Sequence, residues 1–149
     1  MGKREKFLPC AIGHIEKKIG KVILKSSLYN TKAWGIQNQN DFLNQAICVE
    51  TILSAEKLLE EILLIEKQLG RERANKWEAR KIDIDILFFN KLILQSAHLQ
   101  IPHPHLHERK FTLVPLNEIA SGLIHPVLGK SIKILLQDCT DKLEVSLVM

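Results

Sequence analysis

Apolar positions recur along this chain in two rhythms, one helical and one extended. Leu8, Ile12, Ile15 and Ile19 fall on one helical face, which predicts a helix over 4–19 ending at Gly20. Pro9 sits awkwardly inside it, because proline lacks an N–H and crowds the preceding turn. Residues 21–29 and 42–51 read as strands, and a polar loop over 30–41 carries Trp34 and Gly35. Ser54 is a suitable N-cap for a second helix, with Glu56 in its first turn. Leu58, Leu59, Ile62, Ile65 and Leu69 supply its buried stripe, and Gly70 is expected to close it. A basic loop over 71–80 leads into a strand at 82–89. Asn90-Lys91 then turns the chain into 92–94. Beyond a Pro/His segment come a mixed stretch over 111–120 and a short helix after Ser131. Helices alternating with neighbouring strands predict an α+β fold. No repeat or linker interrupts the pattern, so a single domain is expected over 1–149.

Composition narrows the classes. At 46% hydrophobic and 26% charged residues, disorder is excluded, and the apolar runs are too short to cross a bilayer. The charged start and the break at His14 argue against a signal peptide. Lys6 stands where myristoylation needs Ser or Thr. A net charge of +4 suits an anionic partner without choosing which. Cys10, Cys48 and Cys139 are expected to be reduced, mostly buried thiols of a cytoplasmic protein. The 7 glycines form no phosphate-cradling cluster, so phosphates would fall to side chains and metal.

The run Ile82-Asp83-Ile84-Asp85-Ile86 carries the most chemistry. On a strand its isoleucines face the core while Asp83 and Asp85 share the other face, about 6.6 Å apart. Paired carboxylates suit one or two hard divalent cations such as Mg2+, with substrate phosphates completing the shell. By itself Asp-x-Asp is also what a solvated edge strand presents. Arg71, Arg73, Lys76 and Arg80 crowd the loop just before it, and arginine's fork matches phosphate oxygens. A basic loop pairing loosely with Glu66, Glu72 and Glu78 is the plain alternative. The two features together favour a metal–polyphosphate site, where positioning and charge neutralisation supply most of the catalysis.

The run from Lys76 to Leu87 (KWEARKIDIDIL) closely resembles the signature of the 6-hydroxymethyl-7,8-dihydropterin pyrophosphokinase family. Three further segments resemble it in the same order: Ser26 to Thr31 with Trp34-Gly35; Asp41 to Asn44; and Ile101-Pro102-His103 with Arg109-Lys110-Phe111 and Pro115-Leu116. The resemblance implies a folate-pathway enzyme that transfers diphosphate from ATP to the substrate's hydroxymethyl group and releases AMP. It implies a ferredoxin-like antiparallel sheet with helices packed on it. Asp83 and Asp85 would hold two Mg2+ against the ATP phosphates, and Arg71 and Arg80 would steady the triphosphate and the charge developing in transfer. Glu66, Arg73, Lys76, His103 and Arg109 fall at or near ATP-binding positions. Phe42 and Phe111 would sandwich the pterin, a role that offset stacking on a flat heteroaromatic suits. Asn44, Thr31 and the chain around Lys32 and Trp34 would meet the pterin's edge, and Trp77 would close over it. ATP and the pterin would be the partners of a cytoplasmic monomer that binds neither nucleic acid nor membrane.

Two other readings compete. His98, His103, His105 and His107 invite a zinc site, but Pro102 and Pro104 fix no metal geometry and no cysteine is near. His105 and His107 are then surface residues. A non-enzymatic ferredoxin-like ligand- or RNA-binding module would need aromatics on adjacent strands of a basic sheet; the chain has one tyrosine and no such motif. The chain also departs from the family pattern. The opening strand and Leu-Gly-Ser-Asn turn are missing, which would leave unpaired edges in the sheet and suggests a truncated, catalytically impaired member. Glu78 stands where a small residue is expected.

Overall fold

The computed structural model describes residues 2–31, 42–72 and 82–148. In chain order these form α1 (Gly2–Lys18), β1 (Gly20–Lys25), β2 (Tyr29–Thr31), β3 (Phe42–Asn44), β4 (Ile47–Thr51) and α2 (Ala55–Glu72). Then follow β5 (Leu94–Gln95), β6 (Gln100–Ile101), a single 3-10 turn at Leu106–Glu108, α3 (Lys110–Ala120), α4 (Ile132–Asp138) and β7 (Val145–Leu147). All described strand pairs are antiparallel: β1 with β4, β2 between β3 and β7, and β5 with β6. The architecture is α+β, as the alternation of patterns predicts.

Two apolar cores organise these elements. In the first, Ala11, Ile15 and Ile19 of α1 meet Ile62, Ile65 and Leu69 of α2, over Val22, Ile47 and Val49 of the β1–β4 pair. The expected α2 stripe therefore forms. In α1 the buried line runs through Ala11 rather than the half-buried Leu8 and Ile12. Pro9 is accommodated within α1. Gly20 lies so close to the Glu50 carbonyl oxygen that a Cβ there would collide with backbone. In the second core Leu106, Leu113, Leu116, Ile132 and Leu135 pack α3 against α4.

Several expectations need correction. The two long strands each break in the middle. Ser26 and Ala46 exchange bonds at the joint, the Ser26 N–H donating to the Ala46 carbonyl (2.8 Å) and the Ala46 N–H to Ser26 Oγ (3.0 Å). A register shift between Val22 and Leu24 turns Leu24 toward the outer face, opposite Cys48, so apolar composition there does not mean burial. The α2 helix does not stop at Gly70 but continues to Glu72, because a single glycine weakens a helix without ending it. Cys10 and Cys48 are exposed and Cys139 is half-buried, contrary to buried thiols: Cys10 lies beside the α1 stripe and Cys48 on the outer face of β4. Residues 82–89 belong to no strand ladder among the described residues, and of the 92–94 strand only Leu94 pairs, opposite Ile101. The caps hold. Ser54 Oγ accepts from the Lys57 N–H (3.1 Å), and Ser131 caps α4 by accepting from the Ile134 N–H (3.3 Å). The mixed stretch over 111–120 is helix throughout, and β7 lies where no element is expected.

His125, for which sequence offers no role, is buried in the second half of the molecule. Its Nδ1 accepts from the N–H groups of Val127 (3.2 Å) and Leu128 (3.0 Å), and its ring meets Phe88 and His107 edge-on. Burial, and after it the nearby His107, lowers its pKa. His107 is itself not the surface residue expected: its Nδ1 is buried without a hydrogen-bond partner. A histidine whose pKa is lowered on folding binds fewer protons in the native state, so it makes stability fall as pH drops below about 6.5, its unfolded value. Urea titrations between pH 8 and pH 5 are expected to show that fall. His125→Asn, which keeps an acceptor near the Nδ1 position, should flatten it.

Candidate functional site

The acidic run keeps the side-chain alternation of a strand without its ladder. Ile82, Ile84 and Ile86 are half-buried against the first core, while Asp83 and Asp85 are exposed on the opposite side. Leu87 and Phe88 then pack on the second core. In place of a neighbouring strand, a side chain secures the run. Glu66 on α2 accepts from the backbone N–H of Ile84, midway between the two aspartates, at 2.6 Å. The Glu66 pKa is raised, first by burial and then by repulsion from Asp83 and Asp85, against the lowering effect of the Ile84 bond. Glu66 thus lies close enough to both aspartates to feel their charge, and a cation at the pair would relieve that repulsion.

The next residues come from the segment after β6. The His103 N–H donates to the Leu87 carbonyl (3.0 Å), which docks this segment on the end of the acidic run. His103 Nδ1 accepts from the His105 N–H (3.2 Å), which places the proton of a neutral ring on Nε2. Burial lowers the His103 pKa, with Arg109 and His105 adding to the effect and Asp85 opposing it. His105 is exposed, as expected, and pairs with Glu108 at 2.9 Å. The Arg109 guanidinium lies over the Phe111 ring, 5.7 Å from its centroid. Glu66, Asp83, Asp85, His103 and Arg109 are thereby brought into one succession, ending at an aromatic ring.

The remaining residues cluster on the β3–β2–β7 sheet. Tyr29 pairs with Asn44 and Leu147, and Thr31 with Phe42 and Val145, so these six side chains share one face. Asn44 Nδ2 donates to Thr31 Oγ1 (3.2 Å), Thr31 is buried, and Phe42 is 43% exposed. The α3 helix, which begins with Lys110 and Phe111, packs on β2, β3 and β7. Its first N–H, of Lys110, donates to Asp141 Oδ2 (2.9 Å) just before β7, a carboxylate well placed for a helix N-terminus. Near its other end Glu118 accepts from the Tyr29 hydroxyl (2.7 Å), the Ser27 N–H (3.1 Å) and the Ser27 hydroxyl (3.1 Å). Nothing in the pattern of apolar positions marks Glu118, although its seven-residue spacing from Phe111 sets both on one helical face. Arg71 lies in the last turn of α2. Lys32, Trp34, Arg73, Lys76, Trp77 and Arg80 lie outside the described residues. Among the described residues no group of three or more His, Cys, Asp or Glu side chains could hold a metal ion by itself.

A model of the 7,8-dihydro-6-hydroxymethylpterin-pyrophosphokinase family matches residues 1–121. A 2-amino-4-hydroxy-6-hydroxymethyldihydropteridine pyrophosphokinase from Aquifex aeolicus is 38% identical over 135 residues, covering 89% of this chain and 82% of its own. Its Haemophilus influenzae namesake is 44% identical over 105 residues, 70% of this chain and 66% of that one. The folic acid synthesis protein fol1 of Pneumocystis carinii is 43% identical over 132 residues, 89% of this chain but 18% of that much longer protein. The chain belongs to the hydroxymethyldihydropterin pyrophosphokinase family.

The Glu66–Ile84 bond yields a direct prediction. Glu66→Leu should cost about 1.5–3 kcal/mol in urea unfolding, because it strips a charged acceptor from a backbone N–H. Amide exchange at Ile84 should accelerate selectively, whereas Glu66→Gln, which retains an acceptor oxygen, should protect that amide nearly as well as the wild type.

Proposed function

We propose that this chain carries out its family's reaction, transferring diphosphate from ATP to the hydroxymethyl group of 6-hydroxymethyl-7,8-dihydropterin, through the residues described above. The observation that carries this reading is the exposed Asp83–Asp85 pair, held from behind by Glu66 and continued through His103 and Arg109 to Phe111. Phosphate chemistry and aromatic stacking are thus available at adjoining positions. The transfer needs no protein nucleophile: the pterin's hydroxyl oxygen bonds to the β-phosphorus while the bond to the α-phosphate oxygen breaks, releasing AMP.

The donor set fits hard cations. Two exposed carboxylates, too few for a closed protein cage, match the habit of Mg2+ of taking one or two carboxylates along with substrate phosphates. Two Mg2+ on Asp83 and Asp85 would supply neutralisation of the triphosphate charge when bound. Glu66 orients the backbone that presents these two side chains. His103 and Arg109 are assigned to ATP, as are Arg73 and Lys76, with Arg71 and Arg80 on the triphosphate and the charge that develops in transfer. Phe42 and Phe111 are assigned to the faces of the pterin, Thr31, Lys32, Trp34 and Asn44 to its edge, and Trp77 to closure. In the same reading the chain is a single ferredoxin-like domain and a cytoplasmic monomer. No described helix is long and apolar enough to cross a membrane.

Incubation with MgATP and the hydroxymethyl pterin should yield AMP and the pterin diphosphate in equal amounts. Asp83→Asn and Asp85→Asn should each lower that yield by at least about a hundredfold, the scale of losing a charge-stabilising group in a transition state, while circular dichroism remains unchanged. Full activity in either variant would remove the metal assignment.

A further inference from the structure

Glu118 is an acidic residue in the last turn of α3, where the helix dipole disfavours negative charge. Local helix energetics therefore do not account for it. Its tertiary contacts do: both carboxylate oxygens are occupied by Ser27 and Tyr29, about ninety residues earlier in the chain. These charge-assisted bonds hold the Glu118 pKa below the usual carboxylate range, the Tyr29 hydroxyl being the largest cause, with the two Ser27 donors adding to it. The same contact raises the Tyr29 pKa.

The placement of this contact matters more than its energy. Tyr29 shares a sheet face with Thr31, Phe42 and Asn44. Glu118 follows Phe111 by seven residues, which places both on one side of α3 about 10.5 Å apart along the axis. The helix carrying one proposed stacking ring is thus clamped to the sheet carrying the other. The Lys110–Asp141 bond holds the start of α3 and the Glu118 cluster holds its end. With both ends held, the helix can neither roll nor swing over the sheet without breaking a charged hydrogen bond.

We infer that Glu118 is a positioning residue for the pterin: by clamping α3 to Tyr29 and Ser27 it sets the separation and tilt of Phe111 relative to Phe42. The inference rests on the pterin assignment proposed above. It predicts a larger effect on the pterin than on ATP, because Glu66, Asp83 and Asp85 sit on elements that the clamp does not touch and only Arg109, at the start of α3, joins the helix to the nucleotide side. Stacking depends steeply on ring separation and offset, so small rotations of α3 cost more pterin affinity than nucleotide affinity.

Steady-state kinetics on the full chain test this. Glu118→Ala should raise KM for the pterin about tenfold, the effect of losing one well-formed contact, with KM for ATP within about twofold of wild type. Glu118→Gln, which still offers an acceptor oxygen to Ser27, should recover most of the loss. Tyr29→Phe should reproduce part of the loss and add nothing in the Glu118→Ala background. Should Glu118→Ala fail to fold, Tyr29→Phe with pterin and ATP titrations carries the same test. Equal losses for both substrates, or no loss in an active protein, overturn the inference. A wild-type chain that forms no pterin diphosphate instead overturns the functional reading beneath it.

Discussion

The run over 82–88 bears the largest structural responsibility, since both cores and the candidate site depend on its side chains pointing where they do. Ile82, Ile84 and Ile86 enter the first core, and Leu87 and Phe88 enter the second. Removing apolar surface from water on that scale holds the run in place without a described ladder partner. Its alternation then leaves Asp83 and Asp85 nowhere to go but outward. Hydrophobic burial on one side of the chain is thus the cause of the carboxylate pair on the other.

Electrostatics at the run follow from that geometry. Glu66 is drawn into contact by a backbone N–H that no strand satisfies, and it acquires a raised pKa from burial and from its acidic neighbours. The positive charge nearby is that of Arg109, which follows the segment that His103 docks on the Leu87 carbonyl. The Arg109 guanidinium lies over the Phe111 ring, so in the proposed reading one contact joins the phosphate and pterin parts of the site.

Much of this was legible from residue patterns. The α2 stripe, the caps at Ser54 and Ser131 and the exposed aspartate face follow from periods of 3.6 and 2, which are local properties of the backbone. The splitting of both long strands at Ser26 and Ala46 and the outward turn of Leu24 were not legible. Each arises from a hydrogen-bond register between segments about twenty residues apart, and side chains of similar hydrophobicity carry no label for register. The exposure of Cys10 and Cys48 was misjudged for the same reason: residue type gives a tendency to burial, whereas facing is set by the neighbouring element.

By itself the sequence determined the helices, the α+β class and, through the KWEARKIDIDIL run and its companions, the family. Those depend on composition and spacing within short windows. Tertiary structure alone decided that Glu66 supports the acidic run, that His125 is a buried structural acceptor, and that Glu118 reaches Tyr29. In each case one polar side chain finds its partner on a distant segment. The physical reason is the cost of burying or straining an unpaired backbone or side-chain dipole, which is settled only when the elements meet.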